Sequence, residues 1–471
     1  MIIRGIYFLV FSVLLVQNIR AQYLSDSLLY FFDSIEVADY FDDMAVPSFV
    51  MEPTYQVKAY KMQYQSIDPH GDTVLCSGAI YVPNNAYCDY PVMNFNHGTV
   101  LKQKSVPSNL KLDVVGVLAA STGYIVLMPD FMGLGDGDWP HYYMHAESEA
   151  RSVVDMVLAL PAFLSKYGYS WNQQLFLSGY SQGGHVTMAA HQMLEADYPN
   201  IPVTASAPMA GPYDLSNTHR ALMENDSLPY PQPGYLPYTI FSLQLVYGNF
   251  YSSYSEVLSE PYDSILPPMF DGSKKLDAVN NVMPSIPIHI VDSSYYANYL
   301  ADSLHPIKVA LKKNDTYRWS AQAPMRLYHC SGDEVVPFAH SEVAKDSLIA
   351  RGSTSIELID VGANYNHVSC ADVSVLGAKL WFDGLKDSCI NSSVFSNVET
   401  SNLSLYRNAG DWVLENRSFQ SDIISVYDIQ GKICVQYKLE GGSKLTISEM
   451  TSALYYIKSE RLDQKVWKIW F

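Results

Sequence analysis

Between residues 55 and 82 polar and apolar positions alternate; from residue 91 onward the alternation gives way to short unbroken apolar runs. The alternating stretches 55–64 and 73–82 read as two strands. They are joined by Asp68-Pro-His-Gly-Asp72, whose residues favour a turn, so the pair is expected to form an antiparallel hairpin. The later runs, 91–95, 124–128, 175–177, 203–209, 325–328 and 356–361, are bounded by glycine and polar residues. Helical spacing lies between several of them. The best example is Ala150, Val153, Val154, Val157 and Leu158, with Glu147 and Arg151 spaced for an i,i+4 pair. Continuous apolar strands alternating with amphipathic helices predict a mostly parallel sheet covered on both faces, an α/β architecture. Ahead of the hairpin, the pattern over 28–41 predicts one amphipathic helix.

One interval breaks this rhythm. Residues 213–320 separate two strands by far more than an ordinary connection of about 4–6 residues. The interval is rich in Tyr and Pro, with helical stretches near 239–249 and 295–303. It reads as a cap or lid inserted into a catalytic domain spanning 22–386. Residues 387–404, full of Ser and Asn, read as a linker. The tail 405–471 reads as a small β-rich domain, with strands at 423–428, 432–438 and 453–458.

The first 21 residues have the form of a secretory signal. Arg4 precedes an apolar run from Ile6 to Val16, and Ala21 offers a small-residue exit. That run is shorter than the roughly 20 residues needed to span a bilayer. Removing it takes away Arg4 and Arg20 and moves the formal charge from −18 to −20. Such an acidic chain, with no block of Lys or Arg, is a poor partner for nucleic acid. Export makes disulfides possible among Cys76, Cys88, Cys330, Cys370, Cys389 and Cys434. The positions favour Cys76–Cys88, flanking a strand and loop, and Cys370–Cys389, flanking a helix. No cysteine or histidine spacing resembles a zinc site, and no cofactor is called for.

The candidate chemistry centres on Leu175-Phe-Leu-Ser-Gly-Tyr-Ser-Gln-Gly-Gly184. Gly179, Ser181 and Gly183 form Gly-x-Ser-x-Gly after an expected strand and before an expected helix, the context of a nucleophile elbow. A serine there needs a base and an orienting acid further along the chain. Asp333 lies just past the strand 325–328, with Glu334 and Asp360 as rivals. His367 lies beyond the last strand and is preferred to His329 and His340. Backbone N–H groups of Gln182 and of Thr99 (or, second, Gly98) in Phe95-Asn-His-Gly-Thr99 are the candidates for an oxyanion hole. His97 is expected to shape that loop rather than act as a base.

With these motifs in view, residues 55–385 resemble an α/β hydrolase, and more closely the secretory lipase family with its cap between the sixth and seventh strands. The matching features are His97-Gly98-Thr99, Pro129-Asp-Phe-Met-Gly-Leu-Gly135, Gly-Tyr-Ser-Gln-Gly-Gly, the long insertion, Gly332-Asp333 and Asn366-His367. The resemblance implies ester hydrolysis on a small or polymer-linked ester. The Pro129–Gly135 loop would then rim the site, with Asp130 a possible substrate contact. The tail resembles the C-terminal sorting domain of the Bacteroidetes type IX secretion system, through Ser-Val-Tyr-Asp-Ile-Gln-Gly-Lys, Ala453-Leu-Tyr-Tyr-Ile457 and its basic, apolar ending. That implies export to the surface or medium of a Gram-negative cell. A carbohydrate-binding β-module is the alternative for the tail. For the whole chain the alternatives are a serine peptidase, for which the cap offers only the scattered Glu224, Glu256 and Glu260 as amine anchors, and a non-catalytic binding protein.

Overall fold

A computed structural model describes residues 21–43, 51–110, 112–387, 403–408, 411–418, 420–428, 432–447, 454–459 and 466–470. Most of the expected signal segment and of the expected linker lies outside the described residues. The central feature is a nine-stranded sheet in the order β1-β2-β3-β5-β4-β6-β7-β8-β9. Its strands are β1 (Tyr23–Phe32), β2 (Val57–Ile67), β3 (Thr73–Pro83), β4 (Asp89–Asn96), β5 (Ile125–Pro129), β6 (Ser170–Tyr180), β7 (Ala205–Met209), β8 (Met325–His329) and β9 (Ile356–Asp360). The pairings β1–β2, β2–β3 and β3–β5 are antiparallel, and the rest are parallel.

The burial pattern explains the two kinds of strand. β2 alternates buried and half-buried positions because one face is only partly covered. β5 and β7 are buried throughout, and so were written as continuous apolar runs. Five principal helices belong to this α/β body: α1 (Ser34–Asp43), α2 (Val114–Ser121), α3 (Ala146–Tyr167) and α4 (Gln182–Asp197), then α5 (Ala339–Ala350). A sixth, α6 (His367–Asp383), follows β9. Two apolar clusters carry most of the core. One contains Phe176, Met209 and Phe382, and the other contains Ile125, Leu160 and Leu175.

The insertion between β7 and β8 is built from short helices, the longest being Tyr235–Tyr247, Ser293–Ala301 and Pro306–Lys313. It has its own apolar cluster around Leu243, Val257, Leu266 and Ile290. Its two ends meet. Thr316 N donates to Tyr213 O at 3.1 Å, and Asp315 accepts from Ser216 N and Oγ at 3.0 and 2.7 Å. The C-terminal residues form two small antiparallel sheets, of three strands (Leu403–Asn408, Asp411–Asn416, Lys444–Ile447) and four strands (Ile433–Leu439, Asp422–Tyr427, Leu454–Ser459, Val466–Trp470). No helix among the described residues is long and apolar enough to cross a membrane.

Three expectations need correction. The helix expected over 28–41 is instead the end of β1 followed by α1, because residues 23–32 pair with β2. The extra strand makes the insertion fall between the seventh and eighth strands of this chain. Cys76 is a buried free thiol, while Cys330 pairs with Cys370, Cα to Cα 5.9 Å. The pairings Cys76–Cys88 and Cys370–Cys389 are therefore both wrong, although Cys88 is disulfide-bonded. Glu147 and Arg151 form no ion pair among the described residues; the acid of this helix that matters structurally is the neighbouring Glu149.

Candidate active site

Ser181 sits between the end of β6 and the first turn of α4 with φ 59° and ψ −122°. A non-glycine residue in that region costs about 1–3 kcal/mol and persists only where its surroundings hold it. They do so here by close packing. A Cβ on Gly183 would come within 1.9 Å of Asn96 O, and one on Gly179 within 2.3 Å of Gly183 O. The glycines let β4 and α4 close on the turn from either side. Ser181 N also donates to Met209 O at 3.0 Å.

Asp333 comes from the loop after β8, and His367 is the first residue of α6, just past the loop that follows β9. His367 Nε2 lies 3.0 Å from Ser181 Oγ, and His367 Nδ1 lies 2.6 Å from Asp333 Oδ2. The other carboxylate oxygen, Asp333 Oδ1, accepts from Val335 N and Val336 N at 2.9 and 2.8 Å. Burial opposes ionisation of Asp333. The hydrogen bonds from His329, His367 and the Val336 N–H outweigh it and hold the carboxyl well below the usual range. His329 Nε2 donates chiefly to Val336 O at 2.9 Å and stands 3.4 Å from Asp333 Oδ2.

His367 is positioned from several sides. Asn366 caps α6 in a capping box with Ser369, Glu334 Oε2 accepts from His367 N at 2.9 Å, and Tyr180 OH donates to His367 O at 2.6 Å. Glu334 therefore braces the histidine backbone, and Asp360 is occupied by Ser331 N and Gly362 N. His340 is buried, with Nδ1 accepting from Asp214 N.

The loop after β4 passes close to Ser181. A Cβ on Gly98 would lie 3.6 Å from Tyr180 O and 3.7 Å from Ser181 Cβ. His97 stacks on Phe131 at 4.2 Å, with its ring nitrogens on Gly98 O and Asp130 O, so it shapes the loop. Asp130 is fully buried and accepts from Ser77 Oγ and Ser108 N at 2.5 and 2.9 Å, which makes it a brace rather than a substrate contact. Thr99 Oγ1 meets Tyr143 OH at 3.1 Å, and Tyr143 stacks on Tyr238 of the insertion at 4.2 Å. The side chains of Ser181, Asp333 and His367 are all buried.

Sequence reasoning missed Tyr143, Tyr238 and a buried polar group at Glu149, His141 and His185 beside Gln182. Their only local signal is the density of aromatic and histidine residues in Trp139-Pro-His-Tyr-Tyr-Met-His145.

A hydroxyl, an imidazole and a carboxylate in a chain of short contacts at the carboxyl ends of a mostly parallel sheet define an α/β hydrolase. Solved structures agree on the fold. A putative hydrolase from Legionella pneumophila is 24% identical, with a TM-score of 0.71, covering 80% of this chain and 100% of that one. The rice cell wall degrading esterase LipA from Xanthomonas oryzae is 25% identical, with a TM-score of 0.70, covering 77% and 98%. Candida antarctica lipase A is 16% identical, with a TM-score of 0.58, covering 78% and 83%. Among curated proteins none matches the sequence. Residues 108–385 match the secretory lipase family, and the chain belongs to that family. It is a carboxylic-ester hydrolase.

Proposed function

We propose that the chain is an exported serine esterase working through an acyl-enzyme, with Ser181 as nucleophile, His367 as general base and Asp333 as the orienting acid. The observation that carries this reading is the unbroken path from Ser181 Oγ to His367 Nε2 at 3.0 Å and from His367 Nδ1 to Asp333 Oδ2 at 2.6 Å. With Nδ1–H held by the carboxylate, the Nε2 lone pair is directed at the hydroxyl. His367 takes the Ser181 proton as Oγ attacks the ester carbonyl. The tetrahedral oxyanion is held by the N–H groups of Gln182 and Thr99, with Gly98 giving the loop its close approach. His367 then delivers the proton to the departing alcohol. Water, activated by the same imidazole, releases the acid and restores Ser181.

The apolar cavity within the insertion supports an acyl group with hydrocarbon character. Its lining includes Met223 and Leu236, which also pack with Val335 and Val336 next to Asp333. The β-rich tail, read as a secretion sorting domain, supports delivery outside the cell, together with the leader at residues 1–21.

Two measurements test the mechanism. Ser181→Ala is expected to lower the kcat for a p-nitrophenyl ester by about 10⁵–10⁶-fold, and a fluorophosphonate probe should label the wild type at Ser181 alone. Ordinary turnover in the folded variant would overturn the assignment. A panel running from acetyl to palmitoyl esters, with a feruloyl ester included, reads the acyl preference.

A further inference from the structure

Glu149, on the first turn of α3, is only 1% exposed and lies beside the residue that follows the nucleophile. A buried carboxylate is costly unless hydrogen bonds and a partner charge balance it. Glu149 has both. Its Oε1 accepts from Gln182 Nε2 at 2.7 Å and from Met144 N at 2.9 Å, and its Oε2 faces His185 Nδ1 at 3.0 Å.

The hydrogen-bond partners orient the side chains around Glu149. His185 Nε2 stands 2.9 Å from Asn314 O, a carbonyl that can only accept, so Nε2 carries a proton. His185 Nδ1, on the other side of the ring, meets Glu149 Oε2 at 3.0 Å. On the other side, His141 Nδ1 donates to Met132 O at 2.8 Å, so His141 Nε2 presents a bare lone pair. Gln182 Nε2 donates to it at 2.9 Å. Burial keeps His141 neutral, with its pKa pushed down to about 4. Both hydrogens of the Gln182 amide are thus committed, one to Glu149 and one to His141. Turning the amide over would set its oxygen against the carboxylate, so the side chain has one orientation.

We propose that Glu149 is a positioning residue of the ester-hydrolysing site: it locks the Gln182 side chain, and thereby holds the Gln182 backbone N–H in place for the oxyanion. The inference rests on the acyl-enzyme reading above. The Gln182 N–H belongs to the first residue of α4, between Ser181, whose N–H donates to Met209 O, and Gly183, packed on Asn96 O. The side-chain anchor adds a further restraint on the peptide between them. Removing a whole oxyanion donor costs about 10²–10³-fold in kcat, so loosening one is expected to cost somewhat less, on the order of 10–100-fold. The ester binds before the oxyanion exists, so the loss should fall on kcat and spare KM.

The variants are Glu149→Ala, Glu149→Gln and Gln182→Leu in the full chain. Steady-state kinetics on a p-nitrophenyl ester would be paired with the inhibition constant of a trifluoromethyl ketone, whose hemiketal oxyanion occupies the same hole. Glu149→Ala is expected to lower kcat about 10–100-fold with KM nearly unchanged, and to weaken the ketone in proportion. Glu149→Gln keeps an acceptor for Gln182 and Met144 and can donate to a neutral His185, so it should recover most of the rate. Gln182→Leu keeps the backbone N–H and removes the side-chain hydrogen bonds to Glu149 and His141, and it should match Glu149→Ala. Gln182→Leu therefore decides the matter should Glu149→Ala not fold. Native kcat and ketone affinity in folded Gln182→Leu or Glu149→Ala would overturn the proposal, as would a Glu149→Gln variant as slow as Glu149→Ala. If Ser181→Ala is inactive while these variants are native, this inference alone falls. An active Ser181→Ala would instead remove the acyl-enzyme reading itself.

Discussion

Cys330 and Cys370 are bonded to one another three residues before Asp333 and three residues after His367, so one covalent link ties the two segments that bring this carboxylate and this imidazole together. Closing a loop across a sequence separation of 40 is worth about 4 kcal/mol in the chain-entropy account. Replacing both cysteines with serine should lower the melting temperature and reduce kcat more than it raises KM, because the imidazole and carboxylate lose their common frame. Thermal melts and steady-state kinetics on the double variant check this. An unchanged melt would show that the link is dispensable.

Asp333→Asn keeps the size of the acid and removes its charge. The two N–H groups of Val335 and Val336 can still be satisfied by the amide oxygen, so the fold should survive. The imidazole loses its preference for carrying the Nδ1 proton. We expect kcat to fall about 10³–10⁴-fold with a cooperative melt retained. A variant within tenfold of the wild type would return the acid role to Glu334 or Asp360.

Gly183→Ala tests the packing behind the nucleophile turn. The added methyl would meet the backbone oxygen of Asn96, which cannot move without shifting the His97-Gly98-Thr99 loop. The expected cost is about 3 kcal/mol or more, with loss of fluorophosphonate labelling. Native melting and labelling would mean that the strand and helix are less tightly closed than described.

Asp155 gives a pH-dependent prediction away from the site. It is buried beside Ser66, whose hydroxyl donates to Oδ2 at 2.6 Å. Burial raises its carboxyl pKa to about 6, against the lowering by the Ser66 hydrogen bond and the charge of Arg151. The folded state thus holds a proton that the unfolded chain releases near 3.8. Stability from this group is complete below pH 3.8 and is lost as pH rises through 6. Asp155→Asn can still accept from Ser66 and carries no charge, so it should stabilise the protein by up to about 3 kcal/mol at pH 8, with the gain shrinking toward pH 4. Denaturant unfolding of both proteins at the two pH values measures it. A gain independent of pH would contradict the assignment.

Much of the architecture was legible because burial on both sheet faces writes unbroken apolar runs, and because a strand–turn–helix around Ser181 needs glycines where packing is tightest. That Asp333 and His367 lie beside one another follows from their place after β8 and β9. What was hidden depends on partners distant in sequence. The strand at 23–32 was hidden because Leu28, Leu29, Tyr30, Phe31 and Phe32 fit a helical pattern as well as a strand, and only pairing with β2 decides between them. The cysteine partners were hidden because Cys330, just after β8, and Cys370, in the first turn of α6, converge only in the folded sheet. Glu149 looked like any acid in a helix's first turn, since nothing local says that Gln182 and His185 will close over it.

The junction where Tyr213 meets Thr316 makes the long insertion a self-closed excursion: the chain departs and returns through nearly the same point. Lengthening, shortening or exchanging what lies between would not pull on the strands that lead to Ser181 and Asp333. The insertion can therefore change in size while the short contacts among Ser181, His367 and Asp333 stay as they are.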